Sequence, residues 1–340
     1  MLSYKEFSIY TQNVEVDLLK PGDVLANDIL FRNGTVLVKA DTELDDRIIS
    51  KLMHLKSKVV TLDITKVYLN GISATRSLFK DVSAGKPIQQ EDVKHIVEPI
   101  MNEFARTHNV VSLLLKLRSD DEYTFQHTLN IGIISSIIAR WLGYNKDEQL
   151  KVAMAGTLHD IGKSRIPLTI LNKPGPLTRD EFEIMKTHSR LSYEILSQNS
   201  EYEEEIKLGV LQHHERQNGK GYPYGLAGGE ISKFARIVSV ADIYHAMTSK
   251  RVYKSKENPL YVLDEIRKEI DTLDPTVVLT FIKHMAQAIC GCKVFLSDGR
   301  TGTIITVDEQ NLRYPIIKLD NLPCVLDLNN NRDTLITDIY

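Results

Sequence analysis

His159-Asp160-Ile161-Gly162-Lys163 is the stretch on which the reading of this 340-residue chain turns. An imidazole and a carboxylate on adjacent residues can hold one or two divalent metals, and the carboxylate can bridge them. A lone His-Asp pair arises often by chance. Its weight here comes from further candidate ligands: His127 upstream, then His188, the doublet His213-His214, and Asp242. The histidines His54, His95, His108 and His284 fall outside this pattern and read as ordinary surface or core residues.

The surrounding sequence predicts helices that end at these residues. Asn145 followed by Glu148 is a start signal, and Leu150, Ala153, Met154, Thr157 and Leu158 continue to the His-Asp pair, with Gly162 as the stop. Thr178 and Glu181 form a capping box opening a helix through Phe182, Met185, Ile195 and Leu196 that carries His188. Ile206, Val210 and Leu211 lead to His213-His214, and Ser232 caps a helix that delivers Asp242. Asn258-Pro259 opens another, with proline at its favoured first position.

Adjacent helical residues point about 100° apart, so a histidine doublet serves ions only at a two-metal centre or a helix end. Six or seven imidazoles and carboxylates are too many for one tetrahedral zinc. They match two octahedral ions sharing a carboxylate and a water, an arrangement that polarises a phosphoryl oxygen and makes the shared water a hydroxide for in-line attack. Directly after the doublet runs Arg216-Gln217-Asn218-Gly219-Lys220-Gly221-Tyr222-Pro223-Tyr224-Gly225. Its tyrosines could stack on bases while Arg216 and Lys220 meet phosphates; a rigid turn packed on the bundle explains the composition equally well.

Outward from this region the pattern changes. Residues 1–72 read as a small α+β domain: Asp23–Phe31 runs through Arg32-Asn33-Gly34 into Thr35–Val38 as a hairpin, followed by a helix with Ile48, Ile49, Leu52 and Leu55 on one face and a strand at Val59–Leu62. Residues 73–118 are a helical connector, 119–289 an all-α domain, and 290–340 a small β appendage with a hairpin around Ser297–Thr301 and a strand at Pro315–Leu319. The expected fold is therefore mainly α, a helical bundle between small α+β and β pieces.

A formal net charge of −3 argues against a protein that binds DNA or RNA duplexes. Cys290, Cys292 and Cys324 have neither zinc-knuckle spacing nor the number for a disulfide framework. No signal-peptide core and no membrane-length apolar run is visible, so the expectation is a cytoplasmic protein without a membrane span.

Taken in order, His159-Asp160-Ile161-Gly162-Lys163, His188, His213-His214-Glu215-Arg216, Gly221-Tyr222-Pro223, Val240-Ala241-Asp242-Ile243-Tyr244 and Thr248-Ser249-Lys250-Arg251-Val252-Tyr253-Lys254 resemble the HD-GYP family, within the HD superfamily of metal-dependent phosphohydrolases. The resemblance covers roughly residues 120–285. It implies an HD-type helical bundle and hydrolysis of cyclic di-GMP to pGpG or GMP by a metal-bridged hydroxide. It also implies iron or manganese as the two divalent ions, held by His127, His159, Asp160, His188, His213, His214 and Asp242, with Asp160 bridging. Lys163 would meet the scissile phosphate, and Arg216, Tyr222, Arg251 and Lys254 would hold the dinucleotide.

Family members with three metals carry a glutamate one helical turn before the His127 position. Tyr123 stands there and Glu122 is out of phase, which implies two metals. Asn218 and His245 replace aspartates, Val252 replaces a proline, and Ser192 stands where glycine is common. The alternatives are a phosphohydrolase of another cyclic dinucleotide or nucleotide, and a cyclic di-GMP receptor without catalysis. Whether the chain forms a homodimer is left open.

Overall fold

The structure, a computed structural model, describes residues 10–31, 34–54, 59–107, 123–199, 201–249, 257–322 and 324–339. It is mainly α, with small sheets at both ends. In the N-terminal part, β1 (Thr11–Glu15) pairs antiparallel with β4 (Val59–Asp63), and β2 (Ile29–Leu30) with β3 (Val36–Val38). Gly34 takes φ +83° at the expected hairpin turn, while Arg32, Asn33 and Leu55 lie outside the described residues. Helix α1 (Asp46–Met53) is capped by Asp45, whose side chain accepts from the Ile48 amide. Alternate strand residues Val14, Val60 and Leu62 join Leu25, Leu44, Ile49 and Leu52 in a separate apolar cluster. Sequence reading had no strand at β1, because its pairing partner lies about fifty residues away.

Helix α2 (Thr65–Ser83) begins before the boundary expected at 73, and α3 (Gln90–Arg106) follows. Helix α4 (Tyr123–Trp141) forms the centre of the bundle: residues 126–139 are all buried. A helix enclosed on every side has no polar face and so lacks a clear 3.6-residue signature. Next comes α5 (Lys146–Leu158), opened by the capping box of Asn145 and Glu148. The backbones of α4 and α5 nearly touch at two glycines: a Cβ on Gly156 would come within 2.9 Å of the Gly132 Cα. Close crossing at this point places His127, just before it on α4, near His159, which caps the end of α5.

The remaining α-helices among the described residues are α6 (Leu168–Leu171), α7 (Arg179–Lys186), α8 (His188–Ser197), α9 (Glu204–Leu211), α10 (Lys233–Thr248), α11 (Pro259–Lys268) and α12 (Pro275–Ile289). The caps expected at Thr178 with Glu181, at Ser232 and at Asn258 all form. The one helix expected from Thr178 through Leu196 is two. It breaks at Thr187, whose amide bonds back to the Ile184 and Met185 carbonyls, so His188 opens α8.

At the C-terminus, β5 (Lys293–Leu296), β6 (Thr301–Thr306), β7 (Ile316–Leu319), β8 (Val325–Asp327) and β9 (Ile336–Ile339) form one antiparallel sheet in the order β8-β7-β6-β5-β9. Its inward side chains Val294, Leu296, Ile304, Ile317 and Ile339 belong to the same apolar core as the helices. Arg313 adds a polar tie to α11: its Nε donates to Asp264 at 2.6 Å, and its guanidinium lies over Tyr261.

Candidate metal centre

The seven proposed ligands, spread over 116 positions of sequence from His127 to Asp242, converge in the fold. Three groups have candidate ligand atoms within 4.8 Å of one another: His188 with His213 and His214, His127 with His159 and Asp242, and His159 with Asp160 and His213. His159 and His213 are each shared between two groups, so the three form one continuous site. His127 Nε2 lies 3.3 Å from Asp242 Oδ1, His159 Nε2 3.2 Å from Asp160 Oδ2, and His188 Nε2 3.3 Å from Asp160 Oδ1.

Helix ends supply more than position. His159 Nδ1 lies 2.6 Å from the Gly156 carbonyl, His188 Nδ1 2.7 Å from that of Met185, and His213 Nδ1 2.7 Å from that of Val210. Each bond reaches back three residues to a terminal carbonyl of its own helical turn. A carbonyl only accepts, so Nδ1 carries the proton and Nε2 keeps a lone pair aimed into the site. Two buried atoms there, His159 Nε2 and Asp160 Oδ1, have no hydrogen-bonding partner. Buried polar atoms are nearly always satisfied, and a cation would satisfy both.

Protonation follows the same logic. Burial pushes His188 down to about 4 and holds His213 and His214 well below the ordinary histidine range, with neighbouring imidazoles adding to the effect. His127 is lowered by burial against the pull of Asp242. His159 goes the other way: burial would lower it, but the charge of the adjacent Asp160 outweighs burial. For Asp160 and Asp242 burial is outweighed by the facing histidines, and for Asp160 also by Lys163, so both carboxyls sit well below their usual range. His127, His188, His213 and His214, held neutral beside ionised carboxylates, are in the donor state a divalent cation requires; at His159 a cation would have to displace a proton.

Gly162 has a different role from the one expected. Helix α5 ends at Leu158 without a left-handed cap, and Gly162 lies in the following 3-10 turn, Ile161–Arg165. A Cβ there would strike the His188 carbonyl and come within 2.5 Å of the Ser192 amide. Ser192 uses its extra hydroxyl to fasten this contact, accepting from the Gly162 amide at 2.8 Å and donating to the His159 carbonyl at 3.0 Å.

Beyond the ligands, Lys163 Nζ reaches Asp160 Oδ2 at 2.6 Å. Tyr222 stacks on His214 with ring centroids 4.5 Å apart. Its loop is pinned by Glu215, whose buried carboxylate accepts from the Tyr224 and Leu226 amides. Sequence reading gave Glu215 no role, although an acid between the doublet and a glycine-rich loop is a usable signal. Arg216 directs Nη1 inward, donating to the His213 and Glu215 carbonyls and to Ser239 Oγ. Lys186, also unforeseen, lies over the Tyr222 ring beside Arg190 in a cleft of about 190 Å³. Arg251, Lys254, Glu122 and the side chain of Tyr123 lie outside the described residues.

The sequence profile of the HD domain matches residues 109–277. A cyclic di-GMP phosphodiesterase of Thermotoga maritima is 31% identical over 300 residues, 80% of this chain and 79% of that protein. This chain belongs to the HD-GYP family. The cyclic di-GMP phosphodiesterase PA4108 of Pseudomonas aeruginosa is 33% identical over 247 residues, 73% of this chain but only 60% of that longer protein. Among solved structures, Bd1817 of Bdellovibrio bacteriovorus, described as an HDG"Y"P protein, superposes with a TM-score of 0.52 at 13% identity, covering 81% of this chain and 98% of its own. That likeness concerns the fold, an HD helical bundle. Divalent-metal binding goes with the HD domain, and the three ligand groups supply the donors for it. Among the described residues no helix is long and apolar enough to cross a membrane.

Proposed function

We propose that this chain hydrolyses the phosphodiester bonds of cyclic di-GMP, to pGpG or to GMP, at a centre of two divalent ions. The observation that carries this reading is the buried, unpartnered pair His159 Nε2 and Asp160 Oδ1 at the junction of three ligand groups. The names of the relatives support the substrate. His127, His159 and Asp242 would hold one ion and His188, His213 and His214 the other, with Asp160 shared. The family resemblance implies iron or manganese, and nitrogen and oxygen donors accommodate either. Bound there, the ions polarise a phosphoryl oxygen and acidify water.

The protein's own groups prepare the substrate. Lys163, partly exposed beside Asp160, is placed to offset charge growing on the phosphate. Tyr222 offers a ring face at the mouth of the site, and Lys186, Arg190 and Arg216 add positive charge around it. In this reading residues 119–289 are the catalytic unit, with 1–72, 73–118 and 290–340 as flanking parts. The separate apolar cluster of residues 14–62 supports a distinct N-terminal part, one that ends before α2 and not at 72.

The test is anaerobic purification, elemental analysis, and turnover of cyclic di-GMP beside other cyclic dinucleotides on one sample. The expected result is about two ions per chain, product from cyclic di-GMP, and loss of turnover on chelation that Mn(II) or Fe(II) restores. Tight dinucleotide binding with no product from metal-loaded protein would identify a receptor instead.

A further inference from the structure

A buried chain of hydrogen bonds leads from the N-terminal segment to His127. Gln126 Nε2 donates to the hydroxyls of Tyr10 and Tyr68, each at 3.2 Å, and the Tyr68 hydroxyl donates to Asn130 Oδ1 at 2.6 Å. The Asn130 amide nitrogen lies 3.0 Å from His245 Nε2, and His245 Nδ1 lies 2.9 Å from His127 Nδ1. All of these side chains are buried.

The direction of donation along this chain decides what His127 can do. With Asn130 donating to His245 Nε2, the His245 proton is on Nδ1 and points at His127 Nδ1. The proton of a neutral His127 is then on Nε2, facing Asp242 Oδ1 at 3.3 Å. That tautomer has no lone pair to give a metal through Nε2. A ligating His127 needs the opposite sense: its Nδ1–H donates to His245 Nδ1, and His245 carries its own proton on Nε2. Two donors cannot then face each other across 3.0 Å, so the Asn130 amide must present its oxygen to His245 and its nitrogen to Tyr68. An asparagine does this by turning its amide about one bond, with no backbone shift. The Ser249 hydroxyl, 3.2 Å and 3.4 Å from the two His245 ring nitrogens, can donate or accept and so serves either sense.

We propose that His245 and Asn130 are positioning residues that set the tautomer of His127, and that metal loading reverses the polarity of this buried chain. The inference rests on the reading of His127 as a metal ligand. His245 would then do, as a neutral acceptor, what a carboxylate at the same place would do with charge. Partners of this kind typically change metal affinity 10–100-fold when removed.

The test compares metal affinity, by titration calorimetry and elemental analysis, for wild type, His245→Asp and His245→Leu. The aspartate variant, which can only accept, should bind within about threefold of wild type, and the leucine variant roughly 10–100-fold more weakly. Rescue by aspartate separates tautomer control from simple loss of packing. Nitrogen-15 spectra of histidine-labelled wild type, with zinc as a diamagnetic probe, should show the attached proton moving from Nε2 to Nδ1 on His127 and from Nδ1 to Nε2 on His245. Equal affinity in the leucine variant, an aspartate variant as weak as leucine, or unchanged tautomers in loaded protein would each overturn the proposal alone. Wild type that takes up no metal would remove the ligand reading and this inference together.

Discussion

Asp160 Oδ1 lies 3.3 Å from His188 Nε2, across the junction between the turn after α5 and the start of α8. Its other oxygen faces His159 Nε2 at 3.2 Å and Lys163 Nζ at 2.6 Å. One carboxylate thus addresses both halves of the candidate ligand set and Lys163, the lysine proposed to meet a phosphate. Splitting its oxygens between two neighbours is what a bridging ligand requires.

Asp160→Ala should therefore remove both metal and turnover. We expect kcat to fall by a factor of about 10³ or more, since metal stabilisation of transition-state charge is worth several kcal/mol. Elemental analysis of the same preparation should show at most one ion retained. Full turnover in the variant would show that the chemistry lies elsewhere.

Gly162→Ala tests the contact that holds the Lys163 turn against α8. Its new Cβ meets the His188 carbonyl and the Ser192 amide, both backbone groups that cannot swing aside. The turn must shift, and a displacement near 1 Å costs roughly 10²-fold in rate. Steady-state kinetics with a melting curve would check this. Wild-type kcat/KM in the variant would mean that the packing has no bearing on catalysis.

Tyr222→Ala should raise KM for the dinucleotide about tenfold or more, because base stacking on an aromatic face contributes roughly 1–3 kcal/mol. Tyr222→Phe, which keeps the ring, should stay near wild type. A fall confined to kcat in the alanine variant would instead assign the ring to supporting His214, on which it stacks.

The tie between α11 and the C-terminal sheet should depend on pH. Burial works against ionisation of Asp264, but hydrogen bonds from Arg267, Arg313 and Lys268 outweigh it and hold the carboxyl below its ordinary range. A depressed folded value means the stabilisation is present above the unfolded value, near pH 4, and is lost as pH falls through the folded one. Asp264→Asn should thus cost roughly 2 kcal/mol at neutral pH. Calorimetric melting at a series of pH values should show the two proteins converging below about pH 4. A constant gap down to pH 3 would contradict this account.

Much of the candidate site could be read from local sequence because His159, His188 and His213 sit at or just beyond helix ends. Helix ends have short-range signals: Asn145 with Glu148 announced the helix that leads to His159 and Ser232 the one that carries Asp242, while the helix opened by Thr178 with Glu181 stops just short of His188. The His-Asp pair and the histidine doublet could be recognised because they are contiguous. Gly132 and Gly156 gave no such sign, since a glycine inside a helix has a reason only when the opposing backbone is known. The break at Thr187 was equally hidden, as apolar spacing runs on through it.

By itself the sequence determined which residues are the candidate ligands, the helical class of the region holding them, and the family. Tertiary structure alone decided that Gly132 and Gly156 bring α4 and α5 into backbone contact, that Ser192 clasps the Gly162 turn, and that Asn130 and His245 stand behind His127. The reason is physical: capping and periodicity act within a few residues, whereas close approach and buried hydrogen bonds join positions as many as 118 residues apart in sequence.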